Sequence, residues 1–219
     1  ERPSLMEKRV KVFHDELAAR RLHFTLYDKR KIWGRLKAEE NVWLGHEIRG
    51  LANSVVLDAG CGPGPHIGLV LEKGAKRVIA LDFSSNMLLL VREAYQDERV
   101  ERLCADLRYL PLREGAIDCI LCLDTLHHLK GENLRIALHG LLHSARGGSS
   151  LFIDIKNRGN PVLAWRYRNK ESSYLPGTAA TRKEIKDITS GLSIIEKEKG
   201  IGFALKSISP YIIFRLRRL

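Results

Sequence analysis

A short glycine-rich segment is the part of this sequence whose residue types could do the most specific chemistry. Residues 58–64 read Asp-Ala-Gly-Cys-Gly-Pro-Gly and come directly after the apolar run Val55–Leu57. Glycines let a backbone turn tightly and approach a ligand closely, and a helix that begins after such a loop offers its free amides to that ligand. The pattern therefore predicts a loop that cradles a bound ligand.

Two single carboxylates lie at matching positions farther along the chain. Asp82 follows the apolar run Val78–Leu81, and Asp106 comes just after the run Val100–Cys104. Each run is typical of a buried strand of a parallel sheet. We therefore expect the glycine-rich loop and both carboxylates at the ends of three such strands.

The alternation of apolar runs with helical patterns predicts the fold. Strands separated by helices of about 10–15 residues imply right-handed crossovers and a parallel sheet covered on both faces. The predicted fold is α/β, a doubly wound, mostly parallel seven-stranded sheet with N-terminal helices over residues 4–50. The remaining strands are expected at Ile117–Leu123, Leu151–Ile155, Leu192–Glu196 and Ser209–Leu216, and helices at Asn86–Tyr95, Asn133–Ala145 and Thr181–Ser190.

Together, the loop and the two carboxylates resemble the class I S-adenosylmethionine-dependent methyltransferases, within the small-molecule group that includes quinone-biosynthesis enzymes. The resemblance covers roughly residues 50–156, about half of the chain, and is specific for the cofactor but not for the substrate. It implies the Rossmann-like fold of these enzymes, S-adenosylmethionine as the cofactor and S-adenosylhomocysteine as the product.

The resemblance also implies roles for individual residues. The backbone of Gly60–Gly64 is expected to line the methionyl part of the cofactor, with Asp58 supporting the loop. Asp82 is expected to accept hydrogen bonds from both ribose hydroxyls, because a carboxylate can accept two donors at once. Asp106 is expected to meet the adenine amino group beside Leu107. The cofactor-lining residues implied in this way are Asp58, Gly60, Cys61, Gly62, Gly64, Asp82, Phe83, Asp106, Leu107 and Cys122.

A second motif, residues 118–129, contains an apolar strand and then the turn Leu-His-His-Leu. It is similar to the strand of the same family whose end, here residues 122–124, borders the acceptor pocket. His127 or His128 could accept the acceptor's proton, because an imidazole titrates near neutral pH. Alternatively, one or both rings bond the backbone or pack below the pocket. The candidate catalytic residues are Asp124, His127 and His128.

Other interpretations of these residues require features that the sequence lacks. A dinucleotide site needs a third glycine at position 65, which is Pro. Cys119 and Cys122 form a Cys-x-x-Cys pattern, but residues three apart on a strand point to opposite faces and cannot share one metal ion. His139 and His143 lie on the charged face of a predicted helix, which favours a solvated surface. No metal site is predicted.

Length and composition suit one folded domain. The 219 residues are 44% hydrophobic and 29% charged, which excludes disordered and fibrous classes. We expect a helical extension over 1–50 and a cofactor-binding domain over 51–219, with a lid-like connection at 157–182. No apolar run approaches the ~20 residues of a membrane span. The first residues do not resemble a signal peptide, and the four cysteines suit a reducing, cytoplasmic compartment.

The positive charge lies at the two ends of the chain. Basic residues outnumber acidic ones by 12 to 8 in residues 1–50 and by 14 to 6 in 151–219, whereas the middle hundred residues are nearly neutral. Such flanks suit an anionic partner, or they are a solvated surface with a basic bias that binds none. The expected function is methyl transfer to a small-molecule acceptor, anionic or lipid-linked. The alternative is an RNA (tRNA) methyltransferase that uses the basic flanks, and the third hypothesis is a non-catalytic scaffold of the same fold.

Overall fold

The apolar runs of the sequence form one continuous sheet in the computed structural model of the chain. The structure describes residues 5–20, 28, 30–168, 180–203 and 205–219, and this part contains seven strands. The strands are β1 (Val55–Ala59), β2 (Arg77–Asp82), β3 (Val100–Cys104), β4 (Ile117–Cys122), β5 (Ala145–Lys156), β6 (Ser193–Ile201) and β7 (Tyr211–Arg218). The helices are α1 (Leu5–Ala19), α2 (Ile32–Glu47), α3 (Ile67–Glu72), α4 (Ser85–Ala94), α5 (Glu132–Ser144), α6 (Pro161–Arg168) and α7 (Arg182–Thr189).

The strand order places β1 and β4 side by side near the middle of the sheet. The order is β3-β2-β1-β4-β5-β7-β6, in which β7 runs antiparallel to both of its neighbours and the other neighbouring pairs are parallel. The predicted fold class, a doubly wound and mostly parallel seven-stranded sheet, is confirmed. The strand order reverses between β1 and β4, and in open α/β sheets ligands bind at the carboxyl ends of the strands at such a point.

Apolar side chains cover both faces of the sheet, which is why its central strands read as unbroken apolar runs. Val56 packs in a cluster with α2, α3 and α4, and Leu57 packs on the opposite face with α5 and α7. Cys119 and Cys122 belong to these two different clusters, so the prediction that they point to opposite faces is confirmed. Burial raises the pKa of both thiols, that of Cys119 to about 12.

The capping box predicted at the start of α7 is confirmed. The Glu184 amide donates to Thr181 Oγ1 at 3.1 Å, and the Thr181 amide donates to Glu184 Oε2 at 2.7 Å. These two bonds satisfy amides that a helix start otherwise leaves without partners. The helix ends at Thr189, just before the Gly191 expected to stop it.

The connection after β5, predicted to be lid-like over 157–182, contains a helix, because residues 161–168 form α6. Pro161 occupies the first helical position, where no amide donor is needed. The Leu163 amide donates to Asn160 Oδ1 at 2.8 Å. The Asn-Pro pair is therefore a helix start within the connection expected at 157–182. Residues 169–179 of the same segment lie outside the described residues.

Two helices precede the sheet, as predicted for residues 4–50, of which 4, 21–27 and 29 lie outside the described part. The first, α1, packs against α4, and α2 adds Leu36 and Leu44 to the core. In the described ranges, no helix has both the length and the hydropathy to cross a membrane. The two helices bring side chains toward the carboxyl ends of the strands, as the site shows.

Candidate functional site

The glycine-rich loop leaves β1 and is fixed to the end of β2. The amides of Gly60 and Cys61 both donate to the Leu81 carbonyl, at 2.7 and 2.9 Å. Gly60 has a φ of +73°, and a Cβ atom at this position would overlap the Thr125 side chain. Glycine is therefore required here by the left-handed backbone and by the close contact with the segment after β4.

Gly62 forms the open side of this loop. Its φ is +52°, and a Cβ atom built on it would meet no described atom within 4 Å. The far end of the loop is anchored, because the Tyr95 hydroxyl donates to the Gly64 carbonyl at 2.9 Å. The loop is thus held at both ends and bare in the middle, which lets a ligand approach the main chain.

Asp82, at the end of β2, is 6% exposed and is fixed by two amides. Its Oδ2 accepts from the Gly62 amide at 2.9 Å, and its Oδ1 accepts from the Ser84 amide at 2.8 Å. Burial raises the pKa of this carboxyl, although the backbone hydrogen bonds oppose the rise. Each oxygen keeps a second lone pair, so Asp82 can also accept hydrogen bonds from a ligand.

Asp58, in β1, is 2% exposed and carries an unsatisfied oxygen. In the described part of the chain its Oδ2 has no hydrogen-bond partner. Burial, with the charge of Asp82, raises the pKa of Asp58 to about 7. A buried carboxylate without a donor is costly, so this position favours a ligand that brings an N–H group or a positive charge.

Asp106 lies beyond β3 and is engaged by its own chain. The guanidinium of Arg108 donates to both carboxylate oxygens, at 3.0 Å to Oδ1 and 2.6 Å to Oδ2. Burial raises the pKa of Asp106, but the Arg108 hydrogen bonds outweigh it and the net shift is downward. The Ala105 amide donates to the Asp82 carbonyl at 3.1 Å, so the two carboxylates lie at neighbouring strand ends, and Leu107 is buried beside them.

The segment after β4 is tied to the glycine-rich loop. Asp124 has a φ of +53°, and its amide donates to Asp154 Oδ1 at 2.8 Å. The Thr125 hydroxyl lies 2.8 Å from the Leu123 carbonyl and 3.2 Å from the Gly60 carbonyl. These bonds hold the predicted cofactor side and the predicted acceptor side at a fixed separation.

The two predicted catalytic histidines lie in a group of imidazoles, of which His127 is buried and His128 and His14 are half-buried. The ring centroids of His127 and His128 are 4.1 Å apart, and the His14 ring of α1 is 5.1 Å from His128. Burial lowers the pKa of His128 to about 3 and the pKa of His127 well below its usual value, and nearby positive groups, Lys156 among them, add to both shifts. At neutral pH both rings are neutral and are weak proton acceptors.

A buried ion cluster lies beside Asp124, and sequence reasoning did not find it. The Lys37 ammonium is 2.8 Å from Asp124 Oδ2 and 3.5 Å from Asp154 Oδ2, and it also bonds Glu40. We call these four residues the Lys37 cluster. The nearby carboxylates raise the pKa of Lys37 against the effect of burial, whereas burial raises the pKa of Glu40 to about 8 and that of Asp154 to about 6.

One sequence signal could have indicated part of this cluster. Asp154 interrupts the apolar run Leu151–Ile155, and a charged residue inside a buried strand needs a partner. The partners come from α2, more than a hundred residues earlier, and no local pattern connects the two. His66, the residue that precedes α3, is likewise buried at 5% exposure, and burial lowers its pKa to about 4.

The histidines and cysteines considered for metal binding are not brought together. His139 and His143 are exposed on α5, and the two cysteines of the Cys-x-x-Cys pattern are separated by the sheet. Among the described residues, no group of three or more His, Cys, Asp or Glu side chains could hold a metal ion.

The residues that form this site lie within the match to a known protein-family model. A family model described as a methyltransferase domain matches residues 56–148, which include the glycine-rich loop, Asp82, Asp106 and the Leu-His-His-Leu turn. Residues 56–148 therefore belong to a methyltransferase domain, and its fold is that of the class I S-adenosylmethionine-dependent methyltransferases. S-adenosylmethionine is the cofactor of this class of domain.

The methyltransferase domain is similar in sequence to curated enzymes. A tRNA (carboxymethyluridine(34)-5-O)-methyltransferase of Macaca fascicularis is 24% identical over 144 residues, which cover 65% of this chain and 20% of the relative. A malonyl-acyl-carrier-protein O-methyltransferase of Yersinia pestis is 34% identical over 127 residues, which cover 58% of this chain and 45% of the relative. The chain therefore spans less than half the length of these relatives.

A solved structure shows the same fold. The phosphoethanolamine N-methyltransferase 1 of Haemonchus contortus, in complex with phosphoethanolamine and S-adenosylhomocysteine, superimposes with a TM-score of 0.77 at 12% identity. The similarity covers 99% of this chain and 50% of that chain. At this identity the likeness supports the fold of the methyltransferase domain alone.

The residues of the loop fit the cofactor. S-adenosylmethionine carries a sulfonium and an ammonium, and Asp58 offers a buried carboxylate oxygen that lacks a donor. The bare backbone at Gly62 leaves room for close approach, and Asp82 retains acceptor capacity for two hydroxyls. Donor-poor, carboxylate-rich surroundings of this kind suit a cation and disfavour a diphosphate.

Proposed function

We propose that this chain transfers the methyl group of S-adenosylmethionine to a small-molecule acceptor that carries a carboxylate. The observation that carries the proposal is the cradle of Asp58, Gly62 and Asp82, in which bare backbone lies beside two buried carboxylates at the ends of parallel strands. The cradle supports the binding of a cationic nucleoside, and the acceptor is inferred from the residues after β4.

The proposed cofactor contacts are made by residues at the carboxyl ends of β1, β2 and β3. The backbone of residues 60–64 lies along the methionyl part of the cofactor, and Asp82 accepts the ribose hydroxyls with the lone pairs that its two amide donors leave unused. Asp106 receives the adenine amino group and shares its carboxylate with Arg108. The side chains proposed to line the cofactor are Cys61, Phe83, Leu107 and Cys122.

In this proposal the chemical step is a direct displacement at the methyl group. The bound cofactor supplies a methyl group that a positively charged sulfur already activates. The protein holds the acceptor in line with that methyl group and excludes water, a positioning effect worth up to roughly 7–11 kcal/mol in favourable cases. The buried strand end at Cys122 and Leu123, 0% and 4% exposed, supports the exclusion of water.

Two observations support a carboxylate as the acceptor. The carboxymethyl and malonyl groups named for the two relatives each carry a carboxyl group. In this chain, His127 and His128 have lowered pKa values and are weak bases. A carboxylate is already ionised at neutral pH and needs no base to become a nucleophile.

The test uses methyl-labelled S-adenosylmethionine and the malonyl thioester of N-acetylcysteamine, with the matching malonamide thioester as the control acceptor. We expect a base-labile methyl ester with the malonyl compound and no transfer to the amide. Transfer to the amide, or to phenol and amine acceptors instead of the carboxylate, contradicts the proposed acceptor. Failure to bind S-adenosylhomocysteine in a calorimetric titration contradicts methyl transfer itself and favours the scaffold hypothesis.

A tRNA acceptor is the second candidate, favoured by the tRNA methyltransferase among the relatives and by the basic flanks. Binding of tRNA through phosphate contacts weakens steeply between about 50 and 200 mM salt. The measurement is a gel-shift titration with bulk tRNA at both salt concentrations. Steep salt-dependent binding supports this candidate, and the lack of binding at low salt removes it.

A further inference from the structure

The Lys37 cluster joins an N-terminal helix to the acceptor side of the proposed site. Lys37 is 6% exposed and belongs to α2, Asp154 belongs to β5, and Asp124 lies two residues after the end of β4. The Lys37 ammonium also lies 4.7 Å from the centre of the Tyr211 ring on β7. Four separate elements of the chain therefore converge on one ammonium group.

Asp124 is the member of this cluster that reaches solvent. Its side chain is 34% exposed, whereas those of Glu40 and Asp154 are each 2% exposed. Lys37 occupies Asp124 Oδ2, and Oδ1 accepts no hydrogen bond within the described ranges. The cluster thus presents one fixed carboxylate oxygen at the end of β4.

The backbone of Asp124 is also held in an unusual conformation. A φ of +53° is in the left-handed region, which a residue with a side chain adopts at a cost. The bond from its amide to Asp154 Oδ1 and the ion pair with Lys37 hold it there. Buried ion pairs contribute little stability beyond that of apolar packing, so a role in the site accounts for this arrangement better than stability does.

We propose that Lys37 is a positioning residue of the acceptor site, which holds Asp124 so that its unused Oδ1 accepts a hydrogen bond from an N–H or O–H group of the methyl acceptor. This inference rests on the function proposed above. It implies that the methyl acceptor carries a hydrogen-bond donor and that α2 helps to position the acceptor site.

Several titratable groups face Asp124 and set the background for any test. They are Lys37 and Glu40 from α2, His66 before α3, His128 after β4, Asp154 and Lys156 from β5, and Tyr211 from β7. Lys37 is the group in direct contact with its carboxylate. Removal of Lys37 should therefore alter the position and the pKa of the Asp124 carboxyl group, with little effect on cofactor binding by the cradle.

The test compares Lys37→Met with Lys37→Arg and a matched control, Lys73→Met. The Lys73 ammonium donates to the Gly45 carbonyl of α2 at 2.7 Å, so this control loosens the same helix without touching the cluster. For Lys37→Met we expect a KM for the malonyl thioester at least 10-fold higher, with S-adenosylhomocysteine affinity within 2-fold of wild type. Lys37→Arg should recover part of the loss, and Lys73→Met should behave as wild type.

Two results overturn the inference. One is an unchanged KM in Lys37→Met, and the other is a 10-fold or larger loss of S-adenosylhomocysteine affinity, which would assign the cluster to the cofactor. If Lys37→Met does not fold, the double variant Lys37→Met/Glu40→Gln, which removes a buried opposite pair together, takes its place.

A spectroscopic measurement separates this inference from the proposed function. If wild type binds S-adenosylhomocysteine but does not methylate the thioester, the proposed acceptor fails, and the Asp124 carboxyl carbon is titrated by NMR instead. We expect its midpoint to rise by at least one pH unit in the Lys37 variant and to stay unchanged in Lys73→Met. An unchanged midpoint in the Lys37 variant overturns the inference.

Discussion

The two sides of the proposed site are built in different ways. The cofactor side uses backbone amides and carboxylates at the carboxyl ends of three adjacent strands, and these groups lie within residues 58–106. The acceptor side uses Lys37 from α2, Asp124 after β4 and Asp154 from β5, with His127 and His128 beside them. A site built from strand ends can serve one cofactor in many proteins, whereas a site that depends on distant helices can vary with the substrate.

The largest effect on stability and cofactor affinity is expected from a substitution at the contact between the cofactor side and the acceptor side. In Gly60→Ala the new Cβ overlaps the Thr125 side chain, and the φ of +73° adds backbone strain. We expect a loss of about 2–4 kcal/mol in the free energy of unfolding, from overpacking and strain together. S-adenosylhomocysteine affinity should fall at least 100-fold.

The matched control is Gly115→Ala, which has a similar φ of +62° but no neighbouring atom within 4 Å in the described structure. Urea unfolding and calorimetric titration of both variants measure the two effects. Equal losses in the two variants would mean that strain alone matters and that the contact with Thr125 does not join the two sides.

A smaller effect is expected from a single cofactor-side carboxylate. Asp82→Ala should weaken S-adenosylhomocysteine binding by roughly 1–3 kcal/mol, because the ribose donors and the Gly62 amide lose a charged acceptor. The control is Glu101→Ala on β3, whose carboxylate is about half exposed and pairs with Arg77 at the surface. Affinity in Asp82→Ala that equals the affinity of the control would show that the ribose assignment is wrong.

The pH dependence of S-adenosylmethionine binding tests whether the charge of Asp58 contributes to the cofactor side. The pKa of Asp58 is raised to about 7, so the fraction of ionised Asp58 grows between pH 6 and pH 8. If the cationic cofactor needs that charge, S-adenosylmethionine affinity should rise roughly 10-fold over this interval. Calorimetry with wild type and Asp58→Asn is the measurement. A pH dependence that persists in Asp58→Asn would assign the effect to another group.

The smallest effect concerns the acceptor side and comes from a pKa that is lowered in the folded chain, not raised as for Asp58. His128 has a pKa of about 3 in the folded chain, below the usual value, so the unfolded chain binds more protons under pH 6.5. Stability should therefore fall as the pH falls, by about 1 kcal/mol at pH 5.5 for this one group. Urea unfolding of His128→Gln should show a shallower fall than wild type, and an identical fall would mean that burial does not hold the ring neutral.

The same division explains what the sequence could predict. The strands, the loop and the positions of Asp82 and Asp106 follow from local patterns, because glycine conformations and apolar runs are read within a few residues. The Lys37 cluster depends on contacts across more than a hundred residues, which no local pattern encodes. The start of α6 at Pro161 was local but ambiguous, since Asn-Pro begins helices as well as turns.

The central claim is that a nucleoside cofactor lies across the ends of β1, β2 and β3 with its ribose on Asp82. The most direct measurement is a calorimetric cycle that pairs S-adenosylhomocysteine and its 2′,3′-dideoxy analogue with wild type and Asp82→Ala. Our account predicts that wild type discriminates against the analogue at least 10-fold and that Asp82→Ala binds both ligands equally. Equal discrimination by the two proteins would contradict it.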